Sequence, residues 1–253
     1  MQRDLKALDA MPNLPTLFFD TAEAKKRKPF LWQKENGKYR SRTYRQTMQE
    51  VIQLARGLRD LGIEAGDRVV ICSENRPEWV IADIAIMALG AIAVPAYTTN
   101  TTTDHLHILS NSGAKGAIVS TRDLAKKLLP AAIDSGICQF ITSIEPLLIR
   151  QKLPLDVHAY DALIAHGKEL QDDIAKFARD LPRESTSCII YTSGTGGTPK
   201  GVELSHGAIL CNATGAFDVL NDGWSVGEEV FLSFLPMTHS YEHSAGLWCP
   251  IAM

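Results

Sequence analysis

Five short apolar runs, each set apart by a helical pattern, limit what this chain can fold into. They are R-V-V-I-C-S (68–73), A-I-A-V-P-A-Y (91–97), G-A-I-V-S (116–120), Q-F-I-T-S-I (139–144) and C-I-I-Y-T (188–192). Continuous apolar runs of this length predict strands buried on both faces. Between them, Pro77 opens a helix that Gly90 closes; Thr103 to Ser110 and Arg122 to Ile133 read as two more. Strands and helices in alternation predict an α/β fold, a mostly parallel sheet flanked by helices. The polar stretch Leu155 to Asp180 reads as helix. Upstream, Asn36-Gly37 centres the run Phe30 to Tyr44 and predicts a β-hairpin with a type I′ turn. Thr43 and Gln46 then form a capping-box pair, followed by a helical stripe of Met48, Val51, Ile52, Ala55, Leu58 and Leu61.

Length and charge narrow the class. The 253 residues suit one large domain or two small ones. A formal net charge of -3 gives no electrostatic case for a nucleic-acid partner. The basic run Lys25 to Lys28 reads as a solvated turn. Cysteines at 72, 138, 188, 211 and 249 are odd in number and form no C-x-x-C pair, which argues for a reducing compartment. The first ten residues lack the apolar core of a signal peptide. Val80 to Ala96 contains Asp83, Gly90 and Pro95, so it predicts a buried helix and a strand, not a membrane span. A cytoplasmic location is expected. The last nine residues, A-G-L-W-C-P-I-A-M, are almost all apolar and read as an end inside a core element.

The last strand run leads into Y-T-S-G-T-G-G-T-P-K-G (191–201). A Walker A loop fails here, because Pro199 stands at its second glycine and Gly201 where its hydroxyl belongs. The dinucleotide fingerprint also fails at Pro199. The chemistry of anion binding remains. Glycines let successive N–H groups face one concavity, Thr192, Ser193, Thr195 and Thr198 add hydroxyls, and Lys200 adds a positive charge. A place at the end of a buried strand puts the loop at the ligand edge of the sheet. The polar loop Thr98 to Thr103 lies at another strand end and reads either as a site border or as a plain connector.

The segment Y-T-S-G-T-G-G-T-P-K-G-V-E-L-S-H resembles the phosphate-loop signature of the AMP-forming acyl-CoA synthetases, in the adenylate-forming superfamily. Gly196 stands where the usual family form has Thr, a departure shared with many long-chain members. Ser205 is placed to cap the following helix. Upstream, T-Y-R-Q-T, G-D-R-V-V-I-C-S-E-N-R-P-E-W and A-L-G-A-I-A-V-P-A-Y are similar to the opening half of that family's large domain. Downstream, L-P-M-T-H-S-Y-E-H-S-A-G is similar to the next family motif in its long-chain fatty acid CoA ligase form.

The resemblance implies ATP-dependent activation of a long-chain fatty acid to an acyl-adenylate, then thioester formation with coenzyme A. It implies that Thr192, Ser193, Gly194, Thr195, Gly196, Gly197, Thr198 and Lys200 hold the β- and γ-phosphates. It places Thr195 on Mg²⁺ and His239 beside the reacting carboxylate and α-phosphate, with Lys200 also catalytic. Tyr241, Glu242 and His243 would line the acyl pocket. The implied organisation is an incomplete N-terminal domain: an arm over 1–29, a hairpin and first α/β layer over 30–185, and the phosphate-loop segment with the start of a second layer over 186–253. The family's acidic metal ligand, adenine and ribose motifs, hinge and lid lie outside this sequence, so the chain alone is expected not to catalyse adenylation. A fatty substrate suggests peripheral contact at the inner membrane face; a homodimer is compatible with this reading.

Rival readings use the same residues. The chain as a nucleotide-binding or interaction module would lack ligase activity, and a phosphotransferase would transfer the γ-phosphate. His239-Ser240-Tyr241-Glu242-His243 also reads H-x-x-E-H, the zinc signature of one metallopeptidase class. The residues before it, L-S-F-L-P-M-T (232–238), read as strand then turn, which does not supply the helix that signature needs. His105 and His107 are expected to be a solvated pair, and His206 to support structure behind the cap.

Overall fold

In a computed structural model of the chain, residues 5–192, 197–221 and 229–253 are described. Two helices come first, α1 (Leu5–Asp9) and α2 (Leu14–Ala24). Asn13 caps α2 by accepting from the Thr16 N–H, and its amide donates to the carbonyls of Ala178 and Leu181 at 2.8 and 3.0 Å. The hairpin β1 (Pro29–Glu35) and β2 (Lys38–Thr43) turns at Asn36 and Gly37, both at positive φ (49° and 80°), as a type I′ turn requires. Helix α3 (Tyr44–Asp60) starts with the capping box: Thr43 Oγ1 accepts from the Gln46 N–H, and Gln46 Oε1 accepts from the Thr43 N–H.

The sheet follows with β3 (Arg68–Cys72), α4 (Pro77–Ala88), β4 (Ile92–Ala96), α5 (Thr102–Ser112), β5 (Gly116–Val119), α6 (Arg122–Ser135) and β6 (Phe140–Ser143). Then come β7 (Asp156–Ala159), α7 (Tyr160–Glu169), α8 (Ile174–Arg179), β8 (Thr186–Thr192), β9 (Lys200–Ser205) and α9 (His206–Asn221). A π-helix (Glu242–Trp248) runs into α10 (Cys249–Ala252). Among the described residues the order across the sheet is β7-β6-β5-β3-β4-β8-β9, parallel throughout except for antiparallel β9.

Alternation along each strand builds two cores, one per face. Val69, Ile71, Cys188 and Ile190 point to the side of α2, α3, α4 and α8. Val70, Cys72, Ile189 and Tyr191 point to the side of α5 and α6. All twelve residues of α4 are buried, which explains why it lacks a polar stripe. Its Trp79, Ile81, Ile84 and Ile86 each contribute about 1.5–3 kcal/mol by burial. No helix among the described residues is long and apolar enough to cross a membrane.

Two elements differ from the sequence reading. Asp156–Ala159, inside the stretch read as helix, is instead the edge strand β7, in parallel register with β6. Leu232, Ser233 and Phe234 belong to no strand; residues 229–234 cross the sheet edge without regular structure, and Val230, Leu232 and Phe234 are exposed.

Candidate functional site

Strands β8 and β9 form a stem at the carboxyl edge of the parallel sheet. Their register pairs Ile190 with Val202, Tyr191 with Gly201 and Thr192 with Lys200. Ser193, Gly194, Thr195 and Gly196 lie outside the described residues. Thr192, Gly197, Thr198 and Lys200 are exposed, and Gly197 takes φ 90°, a conformation that favours glycine. Gly201 is needed for close approach: a Cβ there would sit 2.8 Å from Ile189 Cγ2 and 3.2 Å from Tyr191 Cζ.

Helix α5 supports this stem. Its His107 donates from Nε2 to the Pro199 carbonyl at 2.9 Å, and its Asn111 accepts from the Tyr191 hydroxyl at 2.7 Å. The His107 and Tyr191 rings meet edge to face at 5.9 Å. The expected solvated pair is therefore not found. His107 packs on the loop stem, while His105 is fully buried with Cys72 Sγ 3.8 Å from Nε2, and burial pulls its pKa down to about 4. Residues two apart on a helix face different sides, so one ring meets the core and the other the loop. The Thr98 to Thr103 loop ends as a cap: Thr101 and Asp104 exchange a capping box at the start of α5.

Ser205 Oγ accepts from the Ala208 N–H at 3.1 Å and caps α9. His206 is buried behind it, and burial lowers its pKa to about 4.

A second strand of chain passes the same sheet edge. The side chain of Asn75, just after β3, bonds Ser233, Leu235 and Met237, which brings His239 to this edge. His239 is exposed. Its Nδ1 accepts from the Tyr241 N–H at 3.2 Å, so the neutral ring carries its proton on Nε2. Tyr241 is exposed; Glu242 and His243 are buried. His243 sits between Asp83 Oδ2 (2.9 Å from Nε2) and Cys188 Sγ (3.9 Å from Nδ1). Burial alone would lower its pKa, but the Asp83 carboxylate overrides this and raises it to about 10. With both His243 nitrogens engaged, the H-x-x-E-H pattern offers no zinc site of the expected kind. Among the described residues no three His, Cys, Asp or Glu side chains converge as metal donors.

Asn75, Asp83, His107 and Asn111 carry contacts that sequence reasoning did not assign. Asn75 stood in the quoted run E-N-R-P-E-W, but no local pattern marks the role of any of the four. A separate hollow of about 510 Å³, lined by Glu74, Arg122, Asp123, Lys126 and Glu145 among others, opens beyond β5. Its charges are largely paired with one another or with the main chain, as in Lys126 to Asp123 and the Arg122 N–H to Glu145.

Comparison with known proteins places the chain in context. The model of the family described as AMP-binding enzyme matches residues 18–253. Long chain acyl-CoA synthetase 3 of Arabidopsis thaliana is 27% identical over 260 residues, covering 95% of this chain and 38% of that protein. Long chain acyl-CoA synthetase 1 of the same plant is 32% identical over 219 residues, covering 80% and 31%. The chain thus spans about a third of the length of these curated relatives. The solved A-PCP didomain of carboxylic acid reductase from Segniliparus rugosus, in complex with AMP, shares the fold at TM-score 0.78 and 19% identity. That match covers 98% of this chain and 40% of the didomain.

Proposed function

The chain belongs to the AMP-binding enzyme family, and from that premise we propose that the protein activates a long-chain fatty acid with ATP. The carboxylate oxygen attacks the α-phosphorus, the bond to the bridging oxygen breaks, and pyrophosphate leaves. The thiol of coenzyme A then attacks the acyl carbon of the adenylate and displaces AMP. The observation that carries this reading is the β8–β9 stem at the carboxyl edge, which registers Lys200 opposite Thr192 at the two ends of the glycine- and hydroxyl-rich sequence.

The first step brings an anion to a polyanion, so the site must offset repulsion with preorganised donors. Thr192, Ser193, Gly194, Thr195, Gly196, Gly197, Thr198 and Lys200 are assigned to the β- and γ-phosphates. Gly197 and the exposed Thr198 and Lys200 are open to a ligand. His239 is assigned to the reacting carboxylate and α-phosphate as a donor from Nε2. It is not a general base, because a carboxylate has no proton to give up. Exposed Tyr241 is assigned to the acyl path, with buried Glu242 and His243 acting from behind it. One hydroxyl, at Thr195, is a small part of the six-oxygen shell that Mg²⁺ needs. Thr195 is assigned to Mg²⁺ together with an acidic ligand that the family resemblance puts outside this sequence. Work in the cytoplasm, with contact at the inner membrane face, would suit such a substrate.

Palmitate-dependent ATP–pyrophosphate exchange tests the reading, measured on this chain and on the protein extended to its relatives' length. Exchange is expected in the extended protein and not in the 253 residues alone. An extended protein that forms ADP, or shows no acid-dependent exchange, would overturn the proposal.

A further inference from the structure

The turn carrying His239 is tied at both ends to one helix and the residues just before it. Ahead of the turn, Asn75 Nδ2 donates to Ser233 Oγ (3.0 Å) and to the Leu235 carbonyl (2.7 Å), and Oδ1 accepts from the Met237 N–H (3.0 Å). Behind the turn, His243 donates from Nε2 to Asp83 Oδ2 at 2.9 Å, with the Trp79 ring edge-on at 5.7 Å. Main-chain bonds close the link: the His239 N–H donates to the Pro236 carbonyl (2.9 Å), and the His243 N–H to the His239 carbonyl (3.0 Å).

We propose that Asn75 and the Asp83–His243 pair are positioning residues that fix the place and tautomer of the His239 ring, an inference that rests on the acyl-activating reading. Three observations support it. Residues 229–234 have no sheet partner and expose Val230, Leu232 and Phe234, so apolar burial does not hold this approach to the turn. Both anchors belong to a fixed body, since α4 is buried along its whole length and Asn75 lies two residues before it. Finally, a buried ion pair is a poor device for stability alone, because well-packed apolar residues often do as well; fixing one arrangement is its better-attested use.

Other uses of the cluster fail on geometry. Cys188, His243 and Asp83 follow the order of a nucleophilic triad, but all three are fully buried and no substrate reaches the sulfur. Asp83 and Cys188 also flank opposite nitrogens of one ring, so the three do not converge on a metal.

The test uses the intact protein with Asn75→Ala and Asp83→Asn. It reads palmitate-dependent exchange, the KM for ATP and the ¹⁵N signals of the histidine rings. The wild type is expected to show neutral His239 as a single tautomer protonated on Nε2. Each variant should mix the two tautomers and lower the exchange rate roughly 10- to 100-fold, the scale set by small misplacements of a reacting group. The KM for ATP should hold. Asn75 is exposed, so Asn75→Ala keeps the test open even if the buried Asp83→Asn fails to fold. Unchanged His239 signals in folded Asn75→Ala, or a rate that falls only with the folded fraction, would overturn the inference. A wild type without exchange would instead sink the acyl-activating reading, and the tautomer measurement would still decide the positioning claim.

Discussion

Three buried histidines make stability depend on pH in two opposite directions. His105 and His206 are kept neutral by burial, with pKa values lowered to about 4. Against an unfolded value near 6.5, their contribution is complete above pH ~6.5 and is lost as pH falls towards 4. By pH 5 each has given up about 2 kcal/mol. His243 has a raised pKa, about 10. Its contribution is complete below pH ~6.5 and is lost as pH climbs towards 10. Folding free energy from denaturant titrations should therefore peak near neutrality. His206→Gln should flatten the acid limb alone; acid limbs that run parallel in variant and wild type would refute this. At the β8–β9 loop proposed to hold phosphate, Lys200→Met should lower the proposed exchange about 10²–10³-fold, the scale for losing one preorganised donor. Lys200 is exposed, so its melting point should move little. An exchange rate near wild type would remove Lys200 from the site. The donor content of this loop is legible in the sequence because it is local, with glycines, hydroxyls and a lysine within eleven residues, and its assignment to phosphate is a proposal. The supports of the site were not. His107 reaches Pro199 across 92 positions, and Asn75 reaches Met237 across 162, and no periodicity encodes such pairs.

Helices α3 and α7 meet through glycine. A Cβ on Gly167 would lie 1.9 Å from the Gln53 carbonyl oxygen, and one on Gly57 would lie 2.8 Å from the Leu163 side chain. In an exposed helix, Gly to Ala stabilises by up to about 1 kcal/mol. Here overpacking against main chain should reverse the sign, so Gly167→Ala should cost about 1–3 kcal/mol or more in chemical denaturation. A neutral or stabilising result would show that the two helices do not approach this closely. Gains and misses among the elements have one physical cause. The hairpin at Asn36-Gly37 and the capping box at Thr43 were readable because their signals lie within four residues. Strand β7 was not, because a four-residue edge strand with exposed Asp156 and Ala159 has no apolar run to announce it. Leu232 to Phe234 erred the other way: its composition suits a strand, but among the described residues no strand pairs with it. Propensity is local, whereas pairing depends on what else lies beside the segment.

At the scale of the chain, the described residues form two cores that share the seven-stranded sheet, and this bears on how it should unfold. Chains beyond about 150 residues often populate intermediates, so a single transition is not the default. Yet β3 gives Val69 and Ile71 to one core and Val70 and Cys72 to the other, and β8 divides Cys188 and Ile190 from Ile189 and Tyr191 in the same way. Neither face can melt without stripping these strands of their packing on the other. Leu54→Ala on the α3 face and Leu128→Ala on the α6 face should each cost about 2–5 kcal/mol. Each should also shift one common transition. The fluorescence of Trp79 and Trp248, both buried on the first face, reports on that face once Trp32 and Trp224 are replaced by Phe, while far-UV circular dichroism reports on both. The two midpoints should move together in both variants. If Leu128→Ala separates them, the α5–α6 layer unfolds on its own, and the β8–β9 stem, which α5 supports through His107 and Asn111, would loosen before the rest of the fold.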